Sequence, residues 1–208
     1  MTTTISQAAT ARTPAPPRRM SVAEYEELIE SGVIDEDAPV ELIEGRIVGK
    51  VTKGPFLNTT AQVMQEILTA ALGSNSGWLI WVEKTIALPG QKSLPEPDVA
   101  LVKGGRWDFV SSRPQPDHVG LVVEVADSSL AKDRRRKEMY LAAGVPAYWI
   151  LNLADGCLEV YRPGARRKTL RAGDSVELVL DGKAVARISV ADMLPPDDPN
   201  RRPKGKRS

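Results

Sequence analysis

The chain has 208 residues, 42% of them hydrophobic, with 28 Lys and Arg against 27 Asp and Glu, a net charge of +1. That length and apolar content suit one globular domain with a sizeable core, and near-neutrality excludes a bulk polycation, so any nucleic-acid contact must be local. The lone Cys157 excludes an internal disulfide and a cysteine zinc site, and the lone His118 argues against a His-rich metal centre or a serine-type triad.

In chain order, residues 1–19 are rich in Thr, Ala, Pro and Arg and are expected to form a disordered tail. Ser21 followed by Glu24 reads as a capping box that starts a helix with Tyr25, Leu28 and Ile29 on its apolar face. Val40 to Val48 reads as two short strands joined at Glu44-Gly45. Within it, Glu41 is either an exposed strand glutamate or part of a site. A helix is expected from about Asn58 to Leu72, and a strand from Trp78 to Leu88. Pro97 opens the next strand, where its missing N–H matters least, and Asp98 shares a face with Ala100 and Val102.

Lys103 to Asp117 is a Gly- and Pro-containing loop with Trp107 as a weak candidate for ligand contact. Trp78, Trp81 and Trp149 read as core residues. Gly120 to Ala126 is an apolar run with one charge, Glu124, as expected of a central strand. Ser128 or Ser129 caps a helix from Leu130 to about Ala143, stopped by Gly144. Strands follow at 147–153 and 157–161, with weaker ones near 169–170, 176–180 and 185–190. Residues 20–195 form the expected folded domain, and 196–208 a basic disordered tail. No stretch approaches the ~18 apolar residues of a membrane span, and the N-terminus lacks a signal-peptide hydrophobic region. The expectation is a cytoplasmic protein without membrane contact.

Helices alternating with strands in this order are buried most simply in an α/β (α+β) fold, a mixed central sheet flanked by helices. Asp98 lies at the start of one central strand and Glu124 near the end of the next. Antiparallel pairing would bring the two carboxylates together, and their repulsion is relieved by a cation such as Mg²⁺. A buried carboxylate is costly unless paired or bound to metal, so the pair points to a divalent-cation site.

The segments Val40-Glu41-Leu42-Ile43-Glu44-Gly45, Pro97-Asp98, Glu124 to Leu130, Asp133 with Lys137, and Gly144 to Trp149 carry a resemblance over residues 20–194. The chain resembles the PD-(D/E)xK nuclease superfamily, and within it the restriction-endonuclease branch called the Uma-two family. The resemblance implies a restriction-endonuclease-like core and a metal-dependent endonuclease acting on nucleic acid, double-stranded DNA first, with a homodimer as one expected assembly. It implies Asp98, Glu124 and the Val125 carbonyl as ligands to Mg²⁺ or Mn²⁺. Glu41 is the upstream acidic contribution.

The superfamily's lysine would stand two residues after Glu124, where this chain has Ala126. The resemblance moves it to the following helix. Counting forward from Glu124 gives Lys137; counting back from Tyr140 gives Arg136. Lys137 is preferred, because an ammonium can shift its pKa and a guanidinium effectively cannot. Leu57 and Arg46 stand near positions where relatives carry a histidine and an acid. Asp133 and Lys137 also fit a plain helix-surface ion pair, and Lys132 to Lys137 either a solvated face or a phosphate contact. A nuclease-fold binding module without turnover, or a self-associating structural protein, are the alternative functions.

Overall fold

The computed structural model describes residues 18–50 and 52–196. The tails expected at the two ends therefore lie outside the described residues, apart from Arg18, Arg19 and Pro196. Arg18 and Arg19 are seated, Arg18 pairing with Glu24 at 2.5 Å and Arg19 donating to the Glu44 carbonyl.

Helix α1 (Val22–Glu30) begins at the expected capping box: the Glu24 N–H donates to Ser21 Oγ at 3.2 Å and the Ser21 N–H to the Glu24 carboxylate at 2.8 Å. Strands β1 (Val40–Ile43) and β2 (Arg46–Gly49) form the expected hairpin. Its turn holds Glu44 and Gly45 at φ of 48° and 73°. A side chain at position 45 would also lie 2.7 Å from Arg19 Cβ, so glycine is required twice over.

Helix α2 (Pro55–Leu72) starts three residues earlier than the sequence suggested, because Pro55 occupies the first turn and Gly54 the N-cap. Strand β3 (Trp78–Val82) is shorter than expected. It stops where Glu83 turns the chain with φ of 49°. Then come β4 (Val99–Lys103), β5 (Val119–Ala126), α3 (Leu130–Ala142), β6 (Tyr148–Asn152) and β7 (Cys157–Tyr161). The chain closes with β8 (Lys168–Leu170), β9 (Ser175–Leu180), β10 (Lys183–Ser189) and the short α4 (Val190–Met193).

The central sheet has the order β3-β4-β5-β6-β7-β8, with β5 and β6 parallel and every other pair antiparallel. This is the mixed sheet flanked by helices that the alternation of elements implied. One face is covered by α2, α4 and the β9–β10 hairpin, with Met64, Leu68 and Leu178 against Val99, Leu121 and Trp149. The other is covered by α3, with Met139 and Tyr140 against Ala100, Val122 and Ile150. Burial on both faces explains the near-continuous apolar run of β5, each such side chain contributing about 1.5–3 kcal/mol. Trp149 is buried as core with Trp78 packed against the same cluster, while Trp81 packs against the cluster on the opposite face.

A third, smaller cluster joins Tyr25 of α1 and Leu42 of β1 to Ala87 and Leu94. The Leu94 N–H donates to the Leu42 carbonyl at 2.8 Å and the Glu44 N–H to Ser93 Oγ at 2.7 Å. These bonds tie the hairpin to the segment entering β4. They are the reason Glu41, distant in sequence, arrives beside Asp98.

Candidate active site

The last registered pair of the central antiparallel ladder is Val99 with Val123. Asp98, just before the start of β4, and Glu124, near the end of β5, come next in that register and stand side by side. Alternation puts both on the α3 face, since Ala100 and Val122 pack there. Asp98 is fixed by the backbone: its Oδ2 accepts the Val125 N–H at 2.7 Å. Its Oδ1 lies 2.5 Å from Lys53 Nζ.

Val125 has a second role that follows from sequence. Val122 and Ala126 turn their backbone groups toward β6: the Val122 N–H donates to the Ala147 carbonyl at 3.1 Å, and the Ala126 carbonyl accepts from Leu153 at 2.8 Å. By alternation the N–H and carbonyl of Val125 face β4. The residue across from Val125 is Pro97, which has no N–H to give. The Val125 carbonyl therefore meets the cleft without a ladder donor from β4.

Glu124 is buried, and its Oε1 has no hydrogen-bond partner. The nearest cation, Arg136 Nη1, stands 3.8 Å away. Burial first, then repulsion from Asp98 and Asp133, pushes the Glu124 pKa well above the ordinary carboxylate range, more than Arg136 can offset. Asp133 is also raised, burial outweighing the hydroxyl of Ser129, which donates to it at 2.5 Å. That bond has a local consequence: Ser129 sits at the α3 N-cap position, but its hydroxyl serves Asp133 instead of the helix's first N–H groups. The Tyr148 hydroxyl donates to the Asp133 carbonyl at 2.9 Å and anchors this first turn against the sheet.

Arg136 crosses the site from α3. Its guanidinium forms a short bond to Glu41 and faces Glu124. Burial lowers its pKa, but Glu124 and Glu41 more than compensate, so it stays charged throughout. Lys53 follows the same pattern: burial pulls its pKa down, while Asp98 and Glu83 outweigh it and hold it above the ordinary lysine value. These groups line a cleft of about 530 Å³. Its floor is acidic, with Glu41, Asp98, Glu124 and Asp133; its rim carries Lys50, Lys53 and Lys132; and the first turn of α2 enters it at Gly54, Leu57 and Asn58. That turn has neither a side-chain cap bond nor an acidic residue, so its N–H groups remain attractive to an anion.

Four of the residues singled out from sequence are thus brought together: Glu41, Asp98, Glu124 and Val125. Lys137 is not. Its ammonium pairs with Glu138 at 2.8 Å and lies 5.0 Å from the centre of the Tyr161 ring on β7. The helix face that meets the cleft is Ser129, Lys132, Asp133 and Arg136, spaced by three and four; Lys137 lies one residue round, toward β7. The alternative Asp133–Lys137 ion pair does not form either: Asp133 accepts from Ser129 and Lys137 pairs with Glu138. Counting back from Tyr140 gave the residue the structure puts at the site, Arg136. Arg46 is exposed on β2, and Trp107, 81% exposed, lines none of the cleft.

Lys53 was not legible as a site residue, yet Pro55 could have flagged it. A proline at the first helical position marks the helix entrance and sets Lys53 just before it, although only tertiary packing brings that entrance to Asp98.

Among the described residues no group of three or more His, Cys, Asp or Glu side chains makes a ready-built metal cage. The donors present are two carboxylates and a strand-end carbonyl, with Glu124 Oε1 unpartnered. That set fits a hard cation that keeps several waters, as Mg²⁺ does, and not a closed structural site.

A mixed sheet flanked by helices, with an acidic cleft where its two central antiparallel strands end, is a restriction-endonuclease-like architecture. The chain belongs to the Uma2 family, described as "Putative restriction endonuclease", which it matches over residues 22–190. Among solved structures it is similar to one described as a putative nuclease belonging to DUF820 from Anabaena variabilis ATCC 29413. The TM-score is 0.67 at 16% identity, over 84% of this chain and 97% of that one, a likeness of fold. No curated protein matches the chain. No helix among the described residues is long and apolar enough to cross a membrane.

Proposed function

We propose that this protein is a divalent-cation-dependent endonuclease that hydrolyses DNA phosphodiester bonds, double-stranded DNA first. Asp98, Glu124 and the Val125 carbonyl would hold Mg²⁺ or Mn²⁺. The observation that carries this reading is the unpartnered, buried Glu124 Oε1 beside Asp98, a cost to folding that a bound cation removes. When bound, such a cation neutralises charge on the phosphate and eases deprotonation of water.

The chain's own groups supply the rest. The Val125 N–H orients the Asp98 carboxylate. Glu41 acts through Arg136, holding the guanidinium against Glu124. The α2 N-terminus, with Lys50 and Lys132 on the rim, favours a phosphate over a neutral substrate. In the reaction a water oxygen gives up a proton to solvent and bonds to phosphorus, the opposite P–O bond breaks, and the leaving oxygen takes up a proton from solvent.

The test is incubation of the purified protein with supercoiled plasmid in Mg²⁺, Mn²⁺ and EDTA. Nicked and linear products are expected with either cation and none with EDTA, and Asp98→Asn is expected to cost roughly a thousandfold in rate. Salt-dependent DNA binding without cleavage under any cation would favour the binding module over the enzyme.

A further inference from the structure

We propose that Lys53 is the cleft's own cation: its ammonium occupies the position beside Asp98 that a divalent ion would contest, and once displaced it supplies positive charge to the scissile phosphate. The inference rests on reading the cleft as a cation-dependent phosphodiesterase site. It goes beyond that reading by assigning a group that the family resemblance places on α3.

Asp98 has two oxygens. One is committed to the Val125 N–H at 2.7 Å, so the other is what it presents to the cleft. Lys53 Nζ takes that oxygen at 2.5 Å. A divalent ion shared by Asp98 and Glu124 must approach the same oxygen, and two cations on one oxygen repel. The lysine therefore weakens cation binding in the resting site while neutralising Asp98.

The local structure allows it to yield. Lys53 stands in the short connection just before the Gly54 N-cap, on a flexible four-carbon stem. Its second partner, Glu83 at 2.7 Å, lies on the outer rim with its side chain 55% exposed, so a displaced ammonium keeps a counter-charge within the cleft. Arg136 has no such freedom: it is clamped by Glu41 and faces Glu124, and moving it would leave buried charges unpaired. Lys137 is turned toward Tyr161. Lys53 is thus the mobile ammonium already touching a proposed ligand, and it lies beside the α2 N-terminus where a phosphate is favoured.

The experiment compares the full-length protein with Lys53→Met, Lys53→Gln and Lys137→Met. Mn²⁺ affinity is read by titration calorimetry, and plasmid cleavage at saturating Mn²⁺ is measured on the same preparations. Both Lys53 variants are expected to bind Mn²⁺ roughly tenfold or more tightly than wild type, since a like charge has been removed. They are also expected to cleave roughly a hundredfold more slowly. Lys137→Met should match wild type in both. A merely structural lysine would not raise affinity while lowering rate. If wild type binds Mn²⁺ and neither Lys53 variant binds it more tightly, the inference falls and the site stands. Tighter binding with an unaltered rate also overturns it, because the displaced ammonium then does nothing for the phosphate. If wild type and both variants all fail to bind Mn²⁺, the reading of the cleft falls as well.

Discussion

Glu124 on β5 and Glu159 on β7 make an instructive pair. Each is a carboxylate in a strand that is otherwise buried and apolar, each faces α3, and both are at most 4% exposed. Their surroundings are opposite. Glu159 accepts a fork of two bonds from Arg134, a 2.5 Å bond from the Tyr161 hydroxyl and a 3.0 Å bond from Asn152, with Arg167 at 3.6 Å. Burial alone would raise its pKa, but these partners overwhelm it and bring it down to about 2. Glu124 has one cation at 3.8 Å, three acidic neighbours and an oxygen with no partner, and its pKa moves up. Burial of a charge therefore says little by itself. What separates a structural carboxylate from one held ready for a ligand is whether its oxygens are already satisfied.

Removing the structural member of the pair should have the largest effect on stability. Glu159→Ala removes the bonds from Tyr161, Asn152 and the half-exposed Arg134 and is expected to cost about 1–3 kcal/mol by denaturant unfolding. It should leave Mn²⁺ affinity unchanged. Because the folded pKa of Glu159 is depressed, its stabilisation is present above the ordinary value of 4.5 and is lost as pH falls toward 2. Wild type should therefore show an acid limb in that window that Glu159→Gln lacks.

Glu124 should behave in the opposite sense. Its folded pKa is raised, so its favourable contribution exists only at acid pH and disappears as pH rises through that value. At neutral pH in EDTA this carboxyl is a burden in either state, since the fold opposes its ionisation and the unfolded chain does not. Glu124→Gln should then stabilise the protein by about 1 kcal/mol, or ~2–4 °C in melting temperature for a chain of this size. At pH 4 the gain should vanish. A destabilised Glu124→Gln at neutral pH would mean that Arg136 satisfies the carboxylate after all.

The smallest effect is expected at Lys137. Its partners are Glu138, 75% exposed, and the Tyr161 ring. Lys137→Ala should shift stability by less than ~1 kcal/mol and leave cleavage intact. Loss of cleavage in that variant would return the superfamily lysine's place to Lys137 and contradict the register of α3 seen here.

The contrast also shows how much a sequence discloses. The sheet was legible because β5 and β6 are covered on both faces and so read as apolar runs, and because Ser21, Gly45 and Gly144 punctuate their elements by clear local rules. Asp98 and Glu124 stood out as charges within such runs, and antiparallel alternation placed them together. The basic groups were a different matter. Whether Lys137 or Arg136 meets the cleft depends on how α3 is rotated against the sheet, fixed by Met139, Tyr140 and the Tyr148 hydroxyl, which is tertiary packing. Lys53 is joined to Asp98 across 45 residues, and no period in the sequence encodes that contact. Glu159 was read only as part of a strand, since its four partners come from α3, β6, β7 and the turn after β7.

The central claim is that Asp98 and Glu124 form one divalent-cation site, and calorimetric titration of Mn²⁺ into wild type and Glu124→Gln tests it most directly. The account predicts a single site in wild type, lost or weakened roughly a hundredfold or more in Glu124→Gln, with the variant as well folded as wild type by its melting curve. Equal Mn²⁺ binding by the two proteins, or none at millimolar Mn²⁺ by wild type and by the Lys53 variants alike, would contradict it.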